Sequence, residues 1–234
     1  MRKENTMKHI GIICAIKREA QPIIDSYEME QVAVSPYPIY RRIVGSVETS
    51  LVICGLGKVV ASMASQHLIQ SLEVDEIVNI GICGAISDEL KIGDIVYSNQ
   101  FVQHDFNIDV PDKHPAWIPS IGSHITETVK PSLFQWVHEH PKTNLGVMCS
   151  GDSFIKSRVK KEQLALTTSG VSCDMESAAI AQVCWLLDCP FMSLRAVSDL
   201  AEDVPSDFVS NMELAIERVT SLFHEVTRSS QVFA

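Results

Sequence analysis

The stretch EIVNIGICGA, residues 76–85, constrains the fold of this chain more than any other. After Glu76 it is apolar or glycine throughout, except for Asn79. A near-continuous apolar strand is buried on both faces, as in a parallel or mixed sheet covered by helices on each side. The flanking patterns agree. Strand-like runs occur at 9–16, 39–45, 49–55, 93–106, 145–151 and 191–199. Between them lie helical patterns at 17–27, 57–72, 131–139, 174–187 and 207–227. The 39–45 and 49–55 runs read as a hairpin around Gly45 to Glu48. On 57–72, Val60, Met63, Ala64, His67 and Leu68 share a stripe. Segment 107–122 turns rich in Pro, Asp, Trp and His and reads as a working loop. No repeat and no Gly- or Ser-rich linker divides the chain. The expectation is one α/β domain over 8–230, a mixed central β-sheet between helical layers in three layers, with a disordered extension over 1–7.

Composition excludes several function classes. A net charge of −10 leaves no basic excess for counterion release, so nucleic acid is not an expected partner. The basic cluster Lys156 to Lys161 is interrupted and reads as a solvated face. No apolar run is long enough to span a bilayer, so no membrane partner is expected. Seven cysteines without a CxxC pair read as free thiols in a reducing, cytoplasmic compartment. Eight scattered histidines lack metal-ligand spacing, so neither a metal nor another cofactor is expected.

Ligands of open α/β sheets collect outside the carboxyl ends of strands. There this sequence gathers Lys17-Arg18-Glu19, Gly81-Ile82-Cys83-Gly84, Ser150 to Phe154, and Arg195, Ser198 and Asp199. The stretch SCDMESAAIAQVC, residues 172–184, adds Asp174 and Glu176 at the start of an expected helix. By themselves these acids suit the positive end of a helix dipole. Glu19 alone reads as a first-turn acid, Asp199 as a turn residue, and Phe154 as core.

Together the segments GIICAIKREA, GLGKVVAS, NIGICGAI, KIGDIV, CSGDSFI, DMESAAIAQVC and RAVSD occur in an order and spacing that resembles the bacterial 5′-methylthioadenosine/S-adenosylhomocysteine nucleosidases. These belong to the nucleoside phosphorylase/hydrolase superfamily, and the resemblance covers roughly 8–225. It implies hydrolysis of the N-glycosidic bond to adenine and a thioribose, in purine salvage and the methionine cycle. It implies Glu19 as the base that activates water and Asp199 as the acid that protonates purine N7. It implies Glu176 as the carboxylate gripping the ribose hydroxyls, with Met175 beneath the sugar. Phe154 and Ile155 fall on the adenine loop, and Arg195 and Ser198 support the water and the acid. Ile16, Leu56 and Phe208 fall at the 5′-alkylthio pocket. Asp174 is left as the dipole partner. A homodimer is implied, and the apolar Trp117-Ile118-Pro119, without an evident home in its own core, is expected at its interface.

The chemistry is coherent apart from the resemblance. A departing purine needs a proton and the cation-like sugar needs a nucleophile, so an acid and a base must face each other across the bond. Phosphorylases of this kind carry Arg and Ser or Thr in an RxG[ST] segment, where this chain has Asn79-Ile80-Gly81-Ile82. A phosphate there would lose charge-assisted hydrogen bonds of about 1.5–3 kcal/mol each. Water is therefore the expected nucleophile. Ile82 also replaces the Ser or Thr usual in the nucleosidases, which bears on water placement. The alternatives are a purine nucleoside phosphorylase-type enzyme, a divergent nucleosidase for another adenosine-derived substrate, and a non-catalytic nucleoside binder.

Overall fold

The computed structural model describes residues 7–202 and 208–230. In chain order these form β1 (Lys8–Cys14), α1 (Lys17–Ser26), β2 (Glu30–Ala33), β3 (Ile39–Val44), β4 (Val47–Ile53), α2 (Lys58–Gln70), β5 (Glu76–Ala85), β6 (Ile95–Ser98), β7 (Gln100–Gln103), β8 (Thr126–Glu127), α3 (Phe134–His138), β9 (Thr143–Leu145), β10 (Val147–Ser150), α4 (Arg158–Thr168), β11 (Gly170–Asp174), α5 (Ser177–Leu186), β12 (Phe191–Asp199) and α6 (Phe208–Ser230). The expected extension falls, up to residue 6, outside the described residues.

β5 is the hub. Its first half pairs in parallel with β1, and Ile77 to Gly84 pair in parallel with β12. Its last two residues pair antiparallel with β11. The main path of the mixed sheet runs β2-β3-β4-β1-β5-β11-β10-β7-β8, while β12 leads from β5 to β6 and β9. Every residue of β5 is buried except the half-buried Ile82, as an apolar run covered on both faces requires. One core lies between the sheet and α2 and α5, around Ala61, Ala64, Leu68, Ile180 and Cys184. The other lies under α1, α3 and α6, around Ala20, Ile23, Phe134, Val219 and Phe223. This is a single three-layer domain.

Several elements depart from expectation for identifiable reasons. The expected strand 93–106 is two strands, because the chain changes partner at Asn99. β6 runs against β12, while β7 runs beside β10. The buried side of α2 is Ala61, Ala64, Ser65 and Leu68, and Met63 is exposed. Helix 174–187 begins three residues late, at Ser177, because Gly170–Asp174 is strand. α4 has no counterpart in the sequence reading: it buries only Lys161, Leu164 and Thr168, while Val159 and Leu166 face outward. Lys161 corrects the reading of 156–161 as a solvated face, since its ammonium is buried against Asp88 and Glu202. The loop after β7 also has its own home: Ala116 and Ile118 are buried, and Ala116 joins a third core cluster with Ile155 and Leu164.

Candidate active site

Two glycines of β5 make room for two acids. A Cβ at Gly81 would overlap Glu19 Oε1 and lie 2.7 Å from Arg195 Nη1. One at Gly84 would lie 2.9 Å from Asp199 Oδ1. Glycine inside a strand often marks such close approach. The two glycines lie three residues apart along β5, on the order of 10 Å at a strand's rise per residue, so each acid has its own stretch of the strand.

Glu19 occupies the first turn of α1 and folds back onto its own helix start. Its Oε2 accepts the N–H groups of Ala15 and Ile16, each at 3.0 Å. Its Oε1 accepts the Ile82 N–H at 3.0 Å and lies 3.8 Å from Arg195 Nη1. Burial pushes its pKa above the ordinary carboxyl value, opposed by Arg195 and by these three amides. Three donors aimed at one carboxylate favour its ionised form. The half-buried Ile16 caps the helix, and the half-buried Ile82 brings its backbone N–H to Glu19 while its side chain packs beside the second core.

Arg195, 1% exposed, serves three carboxylates. It lies 2.8 Å from Asp174, 3.5 Å from Glu176 and 3.8 Å from Glu19. Its remaining donors reach the Ile82 carbonyl, Ser193, Ser177 and Asn79. Asp174 is therefore more than a dipole partner. It pairs with the buried guanidinium, accepts the Ser150 and Ser177 hydroxyls, and accepts the backbone N–H groups of Glu176 and Ser177 ahead of α5. Glu176 Oε1 accepts the Gly57 N–H at 2.9 Å. Burial raises its pKa to about 7, with Arg195 opposing and Asp174 adding to the rise.

That value sets a pH dependence. Glu176 titrates at about 4.5 when unfolded and about 7 when folded, so the folded state holds the extra proton between them. Its stabilising contribution is complete below pH 4.5 and is lost as pH rises through 7. If Glu176 grips the ribose hydroxyls as the resemblance implies, its ionised form, with both oxygens free to accept, is the binding form, and kcat/KM should climb through the same region. Glu176→Gln should flatten both the thermal-stability slope and that limb. A limb that persists unchanged in the variant assigns it to another group.

Asp199, at the end of β12, has no cation within ion-pair distance among the described residues. Its Oδ1 accepts the Ala201 N–H at 3.0 Å and its Oδ2 the Ser198 hydroxyl at 2.9 Å. Burial pushes its pKa up, against those two hydrogen bonds. Beside it, Gly84, Cys173, Met175, Phe154 and Ile155 line one pocket. Ile155 is buried, and Phe154 is 46% exposed.

Glu19, Arg195, Glu176 and Ile82 thus form one group, and Asp199, Ser198, Met175, Phe154 and Ile155 a second across β5. Leu56, which precedes α2, is 64% exposed among the described residues. The Phe208 side chain lies outside the described residues. Sequence reasoning missed Asp174, Ser177, Ser193 and the amide of Gly57. It read Asn79 as a lost phosphate ligand, whereas its amide donates to the Ile13 carbonyl and accepts from Arg195 and Ser177. Among the described residues, no cluster of three or more His, Cys, Asp or Glu could hold a metal ion.

Residues 9–228 match the sequence family described as the phosphorylase superfamily. The chain is 35% identical over 214 residues to the 5′-methylthioadenosine/S-adenosylhomocysteine nucleosidase of Shewanella sediminis, covering 85% of this chain and 90% of that protein. Among solved structures, the nucleosidase of that name from Helicobacter pylori, complexed with an inhibitor, superposes with a TM-score of 0.88 at 25% identity, covering 95% and 99% of the two chains. A futalosine hydrolase mutant of the same species gives the same TM-score and identity, covering 95% and 100%.

Proposed function

We propose, on the premise that this chain belongs to the phosphorylase superfamily, that it is an N-glycosyl hydrolase cleaving 5′-methylthioadenosine and S-adenosylhomocysteine to adenine and the matching thioribose. The observation that carries the hydrolytic reading is Asn79. It is fully buried and neutral, donates to the Ile13 carbonyl and accepts from Arg195 and Ser177, so it brings no charge to a phosphate. Ile82 beside it contributes no hydroxyl.

In this reading the C1′–N9 bond breaks as Asp199 passes its proton to purine N7. Water adds to C1′ and gives its proton to Glu19, which returns it through solvent. Glu176 accepts the ribose hydroxyls, and its negative charge favours the cation-like ring. Arg195 is a positioning residue: it holds Glu19, Asp174 and Glu176 together. Met175, Phe154 and Ile155 enclose sugar and base, and Ser198 orients Asp199.

The test is product analysis. Methylthioadenosine should release free adenine and an unphosphorylated sugar at the same rate with and without phosphate. Phosphate-dependent release of a sugar 1-phosphate would select the phosphorylase reading. A second reading, a nucleosidase for an adenosine-derived substrate with another 5′ group, draws on the exposed Leu56 and on the futalosine hydrolase likeness.

We further propose a homodimer. Of the loop residues expected at the interface, Ile118 is buried within its own chain, Trp117 is half-buried and Pro119 is exposed. The further support is the exposed apolar trio Leu56, Val59 and Met63, just before and within the first turns of α2. Light scattering at micromolar concentration should give twice the chain mass, and a fully active monomer would refute this. No helix among the described residues is long and apolar enough to cross a membrane. All seven cysteines are buried free thiols, which supports a cytoplasmic location checkable by cell fractionation.

A further inference from the structure

Three segments meet at the first residue of α2. The Lys58 backbone N–H donates to Asp152 Oδ1 at 2.8 Å. The Asp152 N–H donates to Asp105 Oδ2 at 2.9 Å. Asp105 Oδ1 in turn receives the Lys58 ammonium at 2.6 Å, with Gln103 Oε1 as a second, longer acceptor at 3.3 Å. The contacts close into a ring joining the start of α2, the segment after β7 and the loop after β10. The amide one residue earlier, that of Gly57, holds Glu176. The residues directly after Asp152 are Ser153, Phe154 and Ile155, which line the pocket beside Asp199.

Two adjacent amides, Gly57 and Lys58, therefore fix two carboxylates that belong to different parts of the site. One is the proposed ribose clamp and the other anchors the proposed base loop. Gly57 has φ +100° and passes so close to Asp152 that a Cβ there would lie 3.0 Å from Oδ1, so the backbone is seated against this anchor. Glu176 is buried, whereas Asp105 and Asp152 are exposed, so water competes for the ring and not for the clamp. Without the Lys58 ammonium, Asp105 loses the contact that fixes its side chain, water competes more freely for its bond to the Asp152 amide, and the base loop gains freedom relative to Glu176.

We propose that Lys58, Asp105 and Asp152 are positioning residues that lock the base loop and the ribose clamp into one register, so that base and sugar are bound as a unit. The inference rests on the nucleosidase reading for the identity of the substrate, though not for the existence of the lock. None of the three touches the reacting bond, so the effect should fall on binding and spare the chemical step.

The experiment compares the whole protein with Lys58→Met, Asp105→Ala, Asp105→Asn and the Lys58→Met/Asp105→Ala double variant. KM for methylthioadenosine should rise about tenfold in each opened ring while kcat changes little, the signature of lost ground-state and transition-state binding together. The double variant should be no worse than the weaker single one, because both open the same ring. Asp105→Asn, which keeps one acceptor for the Asp152 amide, should lie between wild type and Asp105→Ala. Amide hydrogen exchange, read without any substrate, should quicken over 152–156 while β5 stays protected. An unchanged KM with unchanged exchange over 152–156 overturns the proposal, as does a loss confined to kcat. If the wild type releases no adenine, the nucleosidase reading falls, and the exchange result alone decides the lock.

Discussion

Asp199→Asn should lower kcat on methylthioadenosine by on the order of 10²–10⁴-fold, the usual worth of a placed general acid, while the nucleoside binds about as tightly. The substitution is nearly silent structurally. The amide oxygen can still accept the Ala201 N–H, and the amide nitrogen can donate to the Ser198 hydroxyl that now donates to Oδ2. A buried acid whose pKa is raised by desolvation is replaced by a neutral group of the same size, so folding should not suffer. In the proposed mechanism, what disappears is the proton for purine N7. Single-turnover kinetics beside a binding titration separates the two effects, and a variant that keeps most of its turnover would remove Asp199 from the role of acid.

Arg195→Met should be the most destabilising single change in the site. The guanidinium is buried among Asp174, Glu176 and Glu19, and its removal leaves three carboxylates away from water without their cation. Breaking a buried pair in this way typically costs about 3–5 kcal/mol. For a domain of this size that is on the order of 10 °C in melting temperature. The sign with pH is fixed. Without the cation the folded-state pKa values of Glu19 and Glu176, already raised by burial, rise further above their unfolded values, so the folded state binds more protons. The loss should then be largest above neutrality and shrink as pH falls. Lysine is no substitute, since a compact ammonium cannot present the fork that reaches Asp174, Ser193 and the Ile82 carbonyl together. Thermal scans of both proteins at acidic and alkaline pH test this, and a gap that widens in acid would refute it.

The parts of the fold legible in the sequence were those where burial is two-sided or amphipathic. β5 announced itself because almost every position is apolar, β12 is likewise buried along its whole length, and α1 and α6 are amphipathic. The edge strand β2, largely exposed, and α4, with apolar side chains facing solvent, carry no such signal. β11 was hidden because its acidic end runs straight into α5, so Asp174 and Glu176 read as one helix start. In the site, Glu19, Glu176 and Asp199 were nameable through ordered motifs. The shared dependence of Glu19, Glu176 and Asp174 on Arg195 was not, because hydrogen bonds from Asn79, Ser177 and Ser193 leave no spacing pattern. Ile118 was misread because an apolar loop residue looks unpartnered until the chain supplies its pocket.

The hub position of β5 also has a consequence for how the protein is made. On the ribosome β1 and β4 are available when β5 emerges, but its long parallel partner β12 begins only at Phe191. About a hundred residues separate the two strands, which at 5–20 residues per second is on the order of 5–20 s of synthesis. For that interval the most apolar strand of the nascent chain has one bare edge, a template for pairing with a neighbouring chain. Translation pauses between residues 86 and 190 would lengthen the exposure, and pauses after 199 would not. Soluble yield should therefore respond to codon choice in the first interval and hardly at all in the second.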